Sequence, residues 1–154
     1  MVSINYWGPI YWRFLHLLTT VLPEDIYVNN RDQIIDIIKE ICNNIPCPTC
    51  QEHATHFMKK VRWNNVKTKR DFYFLIHGFH NTVNKQLKKP ELSEVKSREY
   101  IASLNVKDST MEFIKIVPQN NPGVVVMLGL SKMRKTAVRK IYGFLKDHKS
   151  SFEL

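Results

Sequence analysis

The stretch Pro46-Cys47-Pro48-Thr49-Cys50 sets two cysteines two residues apart, at what reads as the start of a helix. Pro48 suits a first turn, where its missing N–H is not needed. Free N–H groups and the helix dipole at such a start favour a thiolate over a thiol. Cys47 and Cys50 therefore read as a reactive pair, fit to cycle between dithiol and disulfide or to hold a metal. For zinc, the candidate ligands are Cys42, Cys47, Cys50, His53 and His56, and a closed site needs four. The spacing suits a finger poorly, because the histidines directly follow the cysteines instead of arriving on a second element. On an ideal helix His56 is also turned about 120° away from Cys50. For redox work, a thiolate at a helix start attacks a disulfide or an electron-accepting cofactor. The thioredoxin form of the motif needs a preceding strand, and here the cysteines lie between helices. No GxGxxG is present, so a dinucleotide would not be held Rossmann-style.

A second group is set by helical period. His77, His80, Asn81 and Asn84 gather on one arc, apart from the apolar arc of Phe72, Leu75, Ile76, Phe79, Val83 and Leu87. A solvated face is normally rich in Lys and Glu. Two His and two Asn, able both to donate and to accept, suit a polar ligand with many acceptors. A third group, Trp12 and His16, is four apart and shares a helix face.

The elements that must position these residues read as helices throughout. The chain has 154 residues, 44% of them apolar, with only 5 Gly and no strongly alternating segment. This is enough for one domain with a core and leaves room for a small appendage. The spacing predicts a helix over 7–22, with Pro9 near its start and Pro23 at its stop. A second helix spans 30–43, with Asn30 as N-cap, Gln33 in the capping-box position and Ile34, Ile37, Ile38 and Ile41 as its buried stripe. A third runs from the cysteine pair to about Val61. A fourth spans 68–88, with Thr68 and Asp71 as a capping box. A fifth, capped by Ser93, reaches about Leu104. Residues 106–123 lose the period and read as a linker or extended segment, and 124–128 as a lone strand or packing tail. An amphipathic helix closes the chain over 131–148. Its basic back reads as a solvated face more readily than as a nucleic-acid or membrane surface. The net charge of +9 permits such partners without identifying one. Three cysteines are too few for a secreted disulfide scaffold. No apolar run is long enough to span a bilayer, and Met1 to Asn5 lacks the basic residue of a signal peptide. The expectation is an intracellular soluble protein.

Three motifs together carry a resemblance. Trp7-Gly8-x-x-x-Trp12-x-x-x-His16, then Cys47-x-x-Cys50, then His80-Asn81-x-Val83-Asn84-x-x-Leu87-x-Lys89-Pro90 resemble the Erv/ALR family of FAD-linked sulfhydryl oxidases, in its order and at about its spacing. The likeness covers roughly residues 6–104 and is greatest to the compact members encoded by large cytoplasmic DNA viruses. The resemblance implies an all-α fold: a four-helix bundle with a short fifth helix binding FAD over residues 1–105. A C-terminal extension of unknown role, ending in the amphipathic helix, follows over 106–154.

It further implies catalytic Cys47 and Cys50, with client thiolates meeting Cys47 and electrons passing from Cys50 to FAD and on to O₂, giving H₂O₂. Gly8, Trp12, His16, His53, His80, Asn81, Val83 and Asn84 would bind the cofactor, with Lys85, Lys88 and Lys89 as candidates for the pyrophosphate charge and no metal. No cysteine follows Cys50 and only Cys42 precedes Cys47. The implied electron donor is therefore a protein dithiol substrate or a separate dithiol carrier, not a shuttle pair on the same chain. Val21 and Leu22 stand where relatives carry aromatic residues. The resemblance also implies a homodimer, and a place in the host cytoplasm or virion. The alternative reading of the residues is a zinc-stabilised helical module that binds nucleic acid with its basic helix.

Overall fold

The computed structural model describes residues 3–118 and 128–154, with side chains from 132 onward in the final helix. The described residues are helical and contain no strand. In chain order the helices are α1 (Ile4–Leu18), α2 (Glu24–Asn29), α3 (Arg31–Asn43), α4 (Pro48–Lys60), α5 (Lys69–Gln86), α6 (Glu94–Ser103), α7 (Val106–Ile116) and α8 (Leu128–Asp147), with a 3₁₀ turn at Trp63–Asn65. The all-α expectation holds.

Helix α1 starts a turn earlier than its apolar period indicates, because Ser3 caps it through a bond from the Asn5 N–H. It also stops earlier. The Thr19 hydroxyl donates to the His16 carbonyl at 2.7 Å and the Thr20 hydroxyl to that of Leu17, so two of the last carbonyls are satisfied by side chains and the chain turns. Asn30 holds the N-cap position of α3 as expected, but the capping box does not form. The Asn30 side chain instead donates back to the Ile26 carbonyl at 2.7 Å, closing α2, a short helix that the period analysis passes over. The capping box of α5 is present in full, with Asp71 accepting from the Lys67 and Thr68 N–H groups and Thr68 accepting from Asp71.

Helix α5 ends in a Schellman motif. The Lys89 N–H donates to the Asn84 carbonyl at 2.8 Å and that of Lys88 to Lys85 at 3.1 Å. Lys88 occupies the left-handed position with φ 56°, where glycine is usual. The turn sends Lys89 and Pro90 back across the end of the bundle.

The reading of 106–123 as a linker is wrong over 106–116, which form α7. Asn105 caps it, accepting from the Asp108 N–H at 2.9 Å. Ser109, Thr110, Phe113, Ile116 and Val117 are buried from it. Two of those positions are polar, which diluted the apolar period. The proposed strand or tail over 124–127 lies outside the described residues, and Leu128 already belongs to α8.

One core runs through the bundle and the extension alike. Helix α7 packs on α1, and α8 on α3. Phe113 stacks on Phe14 with centroids 4.0 Å apart and planes 3° from parallel. Phe152 reaches the same ring from beyond α8. Polar ties sit at the edges: Arg13 to Glu112 at 2.9 Å, Lys140 to Glu40 at 2.8 Å, and the Tyr142 hydroxyl to the Ile114 carbonyl at 3.0 Å. Among the described residues no helix is long and apolar enough to cross a membrane.

Candidate active site

Cys47 is the N-cap of α4 and Pro48 its first residue, as the spacing predicts. The Cys50 N–H points at Cys47 Sγ at 3.3 Å. The two cysteines form a disulfide, with Cα atoms 5.2 Å apart. Gln51 donates to the Asn43 carbonyl, which ties the start of α4 to the end of α3. Both cysteines are half-buried. Cys42 is free and 1% exposed, and burial pushes its thiol up to about 12. A thiol so raised is almost wholly protonated at neutral pH and inert.

Beside the pair lies a cleft of about 680 Å³ between α1, the start of α4, α5 and the segment leading into α6. That is a volume ordinary for a cofactor site. Of the residues nominated from sequence, Gly8, Trp12, Cys50, His53, His80, Val83, Asn84 and Lys89 line it. Cys50 alone of the pair lines the wall. The other nominees stand elsewhere. His16 is buried beneath His80, Asn81 bonds the backbone of Leu92, and Lys85 and Lys88 are exposed and outside the lining. Trp7, which opens the first motif but carried no site role, also lines the cleft, as do Lys96 and Tyr100, which no motif contains. Lys96 and Tyr100 are brought there by the turn between α5 and α6, which has no local periodic signal.

The cleft has a flat aromatic shelf. Trp12 and His80 stack with centroids 4.0 Å apart and planes 10° from parallel, and Phe79 meets Trp12 edge-on. Below the shelf, His16 Nε2 and His80 Nδ1 are 2.9 Å apart. Burial above all, then the neighbouring rings, lowers His16 to about 3, while burial, His77 and Lys89 lower His80 to about 4. Both rings are therefore neutral near pH 7. Among the described residues the buried His16 Nδ1 has no hydrogen-bond partner. A buried N–H without a partner is rarer than a bare acceptor. The favoured tautomers thus have His16 Nε2–H donating to His80 Nδ1, so that His80 carries its own proton on Nε2.

These residues fit a flavin dinucleotide. Gly8 lines the wall, and a methyl added there would make an ordinary 3.5 Å contact with Ile4 Cγ1. Trp7, which lines the cleft, has a buried Nε1–H with no partner among the described residues. Lys89 and Lys96 supply positive charge for a pyrophosphate, and the shelf supplies a π-face for a planar ring. The donor set of the zinc alternative is not gathered. Among the described residues no three His, Cys, Asp or Glu converge on a point.

The model of the Erv1 / Alr family matches residues 9–102. The chain is 32% identical over 90 residues to the FAD-linked sulfhydryl oxidase of African swine fever virus, covering 57% of this chain and 73% of that one. A protein of Invertebrate iridescent virus 6, named provisionally for the same activity, is 30% identical over 104 residues, 64% of this chain and 94% of its own. No solved structure matches. With a family model spanning both the cysteine pair and the histidine shelf, the chain belongs to the Erv1 / Alr family.

Proposed function

We infer that the protein is a FAD-dependent thiol oxidase that forms disulfides in protein substrates. The observation that carries the reading is the placement of Cys50, bonded to Cys47, on the wall of an aromatic cleft that fits FAD. When bound, FAD supplies a two-electron acceptor that O₂ re-oxidises, giving H₂O₂.

The chain's own part follows from the helix start. A client thiolate attacks Cys47 Sγ, the sulfur away from the cleft wall. A client–Cys47 bond forms, the Cys47–Cys50 bond breaks, and Cys50 leaves as a thiolate. The positive end of the α4 dipole stabilises that charge, while the Cys50 N–H stays directed at Cys47 Sγ. A second client thiolate then attacks the client sulfur, which releases Cys47 and leaves a client disulfide. The pair is left holding two electrons, with Cys50 on the cleft wall. Trp12 and His80 would orient the planar ring of a bound flavin, and Lys89 and Lys96 would hold its phosphates.

We assign catalysis to residues 1–105 and a buttressing role to 106–154, whose helices share the core. Since α7 and α8 lie on α1 and α3, a homodimer would use other faces. The viral relatives favour work in a host cytoplasm or virion on a client dithiol or a separate dithiol carrier.

The test is an absorption spectrum of the purified protein. The expected result is a yellow protein with about one FAD per chain, bleached by dithiol and recoloured by air with release of H₂O₂. Cys50→Ser should keep the colour and lose turnover. A colourless protein that takes up no added FAD overturns the reading.

A further inference from the structure

The polar residues of α5 divide into two sets. His80 and Asn84 line the cleft. Asn81 lies about 100° round the helix from His80; its amide pairs with one backbone residue, and Asn84 Nδ2 also donates to its Oδ1 at a longer 3.5 Å. Asn81 Nδ2 donates to the Leu92 carbonyl at 2.9 Å, and the Leu92 N–H donates to Asn81 Oδ1 at 2.8 Å. This pairing fixes the amide, because a flip would set donor against donor and acceptor against acceptor.

Asn81 is braced along its own helix. His77 Nε2 lies 3.4 Å from Asn81 Nδ2. The His77 ring stacks on Tyr73, with centroids 5.9 Å apart and planes 9° from parallel. Arg98 of α6 covers the other ring at 4.3 Å, and the Tyr73 hydroxyl donates to the Glu94 carbonyl at 3.5 Å. Residues 73, 77 and 81, each four apart, thus grip the entry to α6 from one helix face. The gripped segment supplies Leu87, Lys89, Pro90, Glu91 and Leu92 to the cleft. Residues 87–91 are exposed, so solvent-facing contacts do little to hold their course.

We propose that Asn81 is a positioning residue: it clasps the backbone of Leu92 and thereby holds the 87–92 wall of the cleft in the shape that binds the cofactor, without touching the cofactor itself. The proposal rests on the cleft being the FAD site. A wall released from the clasp samples other courses, and apparent affinity falls with the fraction of time spent in the binding shape. Asn81→Asp keeps the acceptor for the Leu92 N–H but sets a carboxylate oxygen against the Leu92 carbonyl. Asn81→Ala removes both bonds.

The experiment pairs two readouts on the full chain. FAD is stripped and titrated back, followed by flavin fluorescence. Trypsin cleavage after Lys85 and Lys88 is timed on the stripped and the loaded forms. Each Asn81 variant is expected to bind FAD about tenfold or more weakly, and in the stripped form to be cut about tenfold faster than wild type. Lys96→Ala, on the cleft side, should weaken FAD and leave the cleavage of the stripped form unchanged. If Asn81→Ala fails to fold, Asn81→Asp carries the comparison. Weaker FAD binding with unchanged cleavage of the stripped form would make Asn81 a ligand contact and overturn the proposal. Faster cleavage with unchanged FAD affinity would overturn it as well. Wild-type protein that binds no FAD removes the cofactor reading, and the proposal with it. The cleavage rates then still report whether the clasp exists, so the two failures are told apart.

Discussion

At the scale of single residues, the pair His16–His80 makes the protein acid-sensitive. Both rings are held neutral, at about 3 and about 4, chiefly by burial. An unfolded chain takes up protons near 6.5. Between roughly pH 6.5 and 4 the unfolded state thus binds more protons, so stability is full above that window and falls as pH drops through it. The melting temperature of wild type should decline steadily from pH 7 to 5. His16→Gln, which can still donate to His80 but cannot charge, should flatten that decline. At the cysteines, Cys42→Ala should leave turnover per folded molecule near that of wild type, measured as oxygen uptake, because the buried thiol has no part in the exchange. The chemistry at this scale was legible in the sequence, since cysteine spacing and the His/Asn types name their own reactivity. The split between His80 and Asn81 was not. Asn81 bonds a main-chain carbonyl and N–H, groups that every residue but proline carries, so nothing in residue types marks Leu92 as the partner.

The helices themselves differ in how plainly they announce their ends. Thr68 and Asp71 state a capping box in letters, and it forms. Thr68→Ala should cost about 1 kcal/mol of stability by denaturant unfolding. Lys88 ends the same helix in a left-handed conformation that strains a side chain. Lys88→Gly should therefore stabilise the protein by up to about 1 kcal/mol in the same assay. A charge role for Lys88 would show instead as weaker FAD binding. Long helices with an unbroken apolar stripe, such as α3 and α5, were legible to within a few residues. Helix α2 was not, being six residues with one buried anchor, Tyr27. Helix α7 was missed because Ser109 and Thr110 take core positions, and a period count scores them as polar.

For the whole molecule, the described helices α7 and α8 of the extension share one core with the bundle. Phe113 is fully buried against Phe14 and Tyr11. Phe113→Ala should cost about 3–5 kcal/mol, read as a lower denaturant midpoint. The ion pair of Lys140 with Glu40 joins the same parts, but at an exposed edge it should contribute under about 1 kcal/mol. The remaining feature is Cys42, a lone thiol sealed in the interior while its two fellows are joined to one another. An alkylating reagent should find no thiol in the folded oxidised chain and one in the unfolded chain. Its slow reaction under native conditions therefore times how often the interior opens, like a clock built into the molecule. Every 1.4 kcal/mol lost should quicken that clock about tenfold, so Phe113→Ala can be read by mass, label by label, without any denaturant.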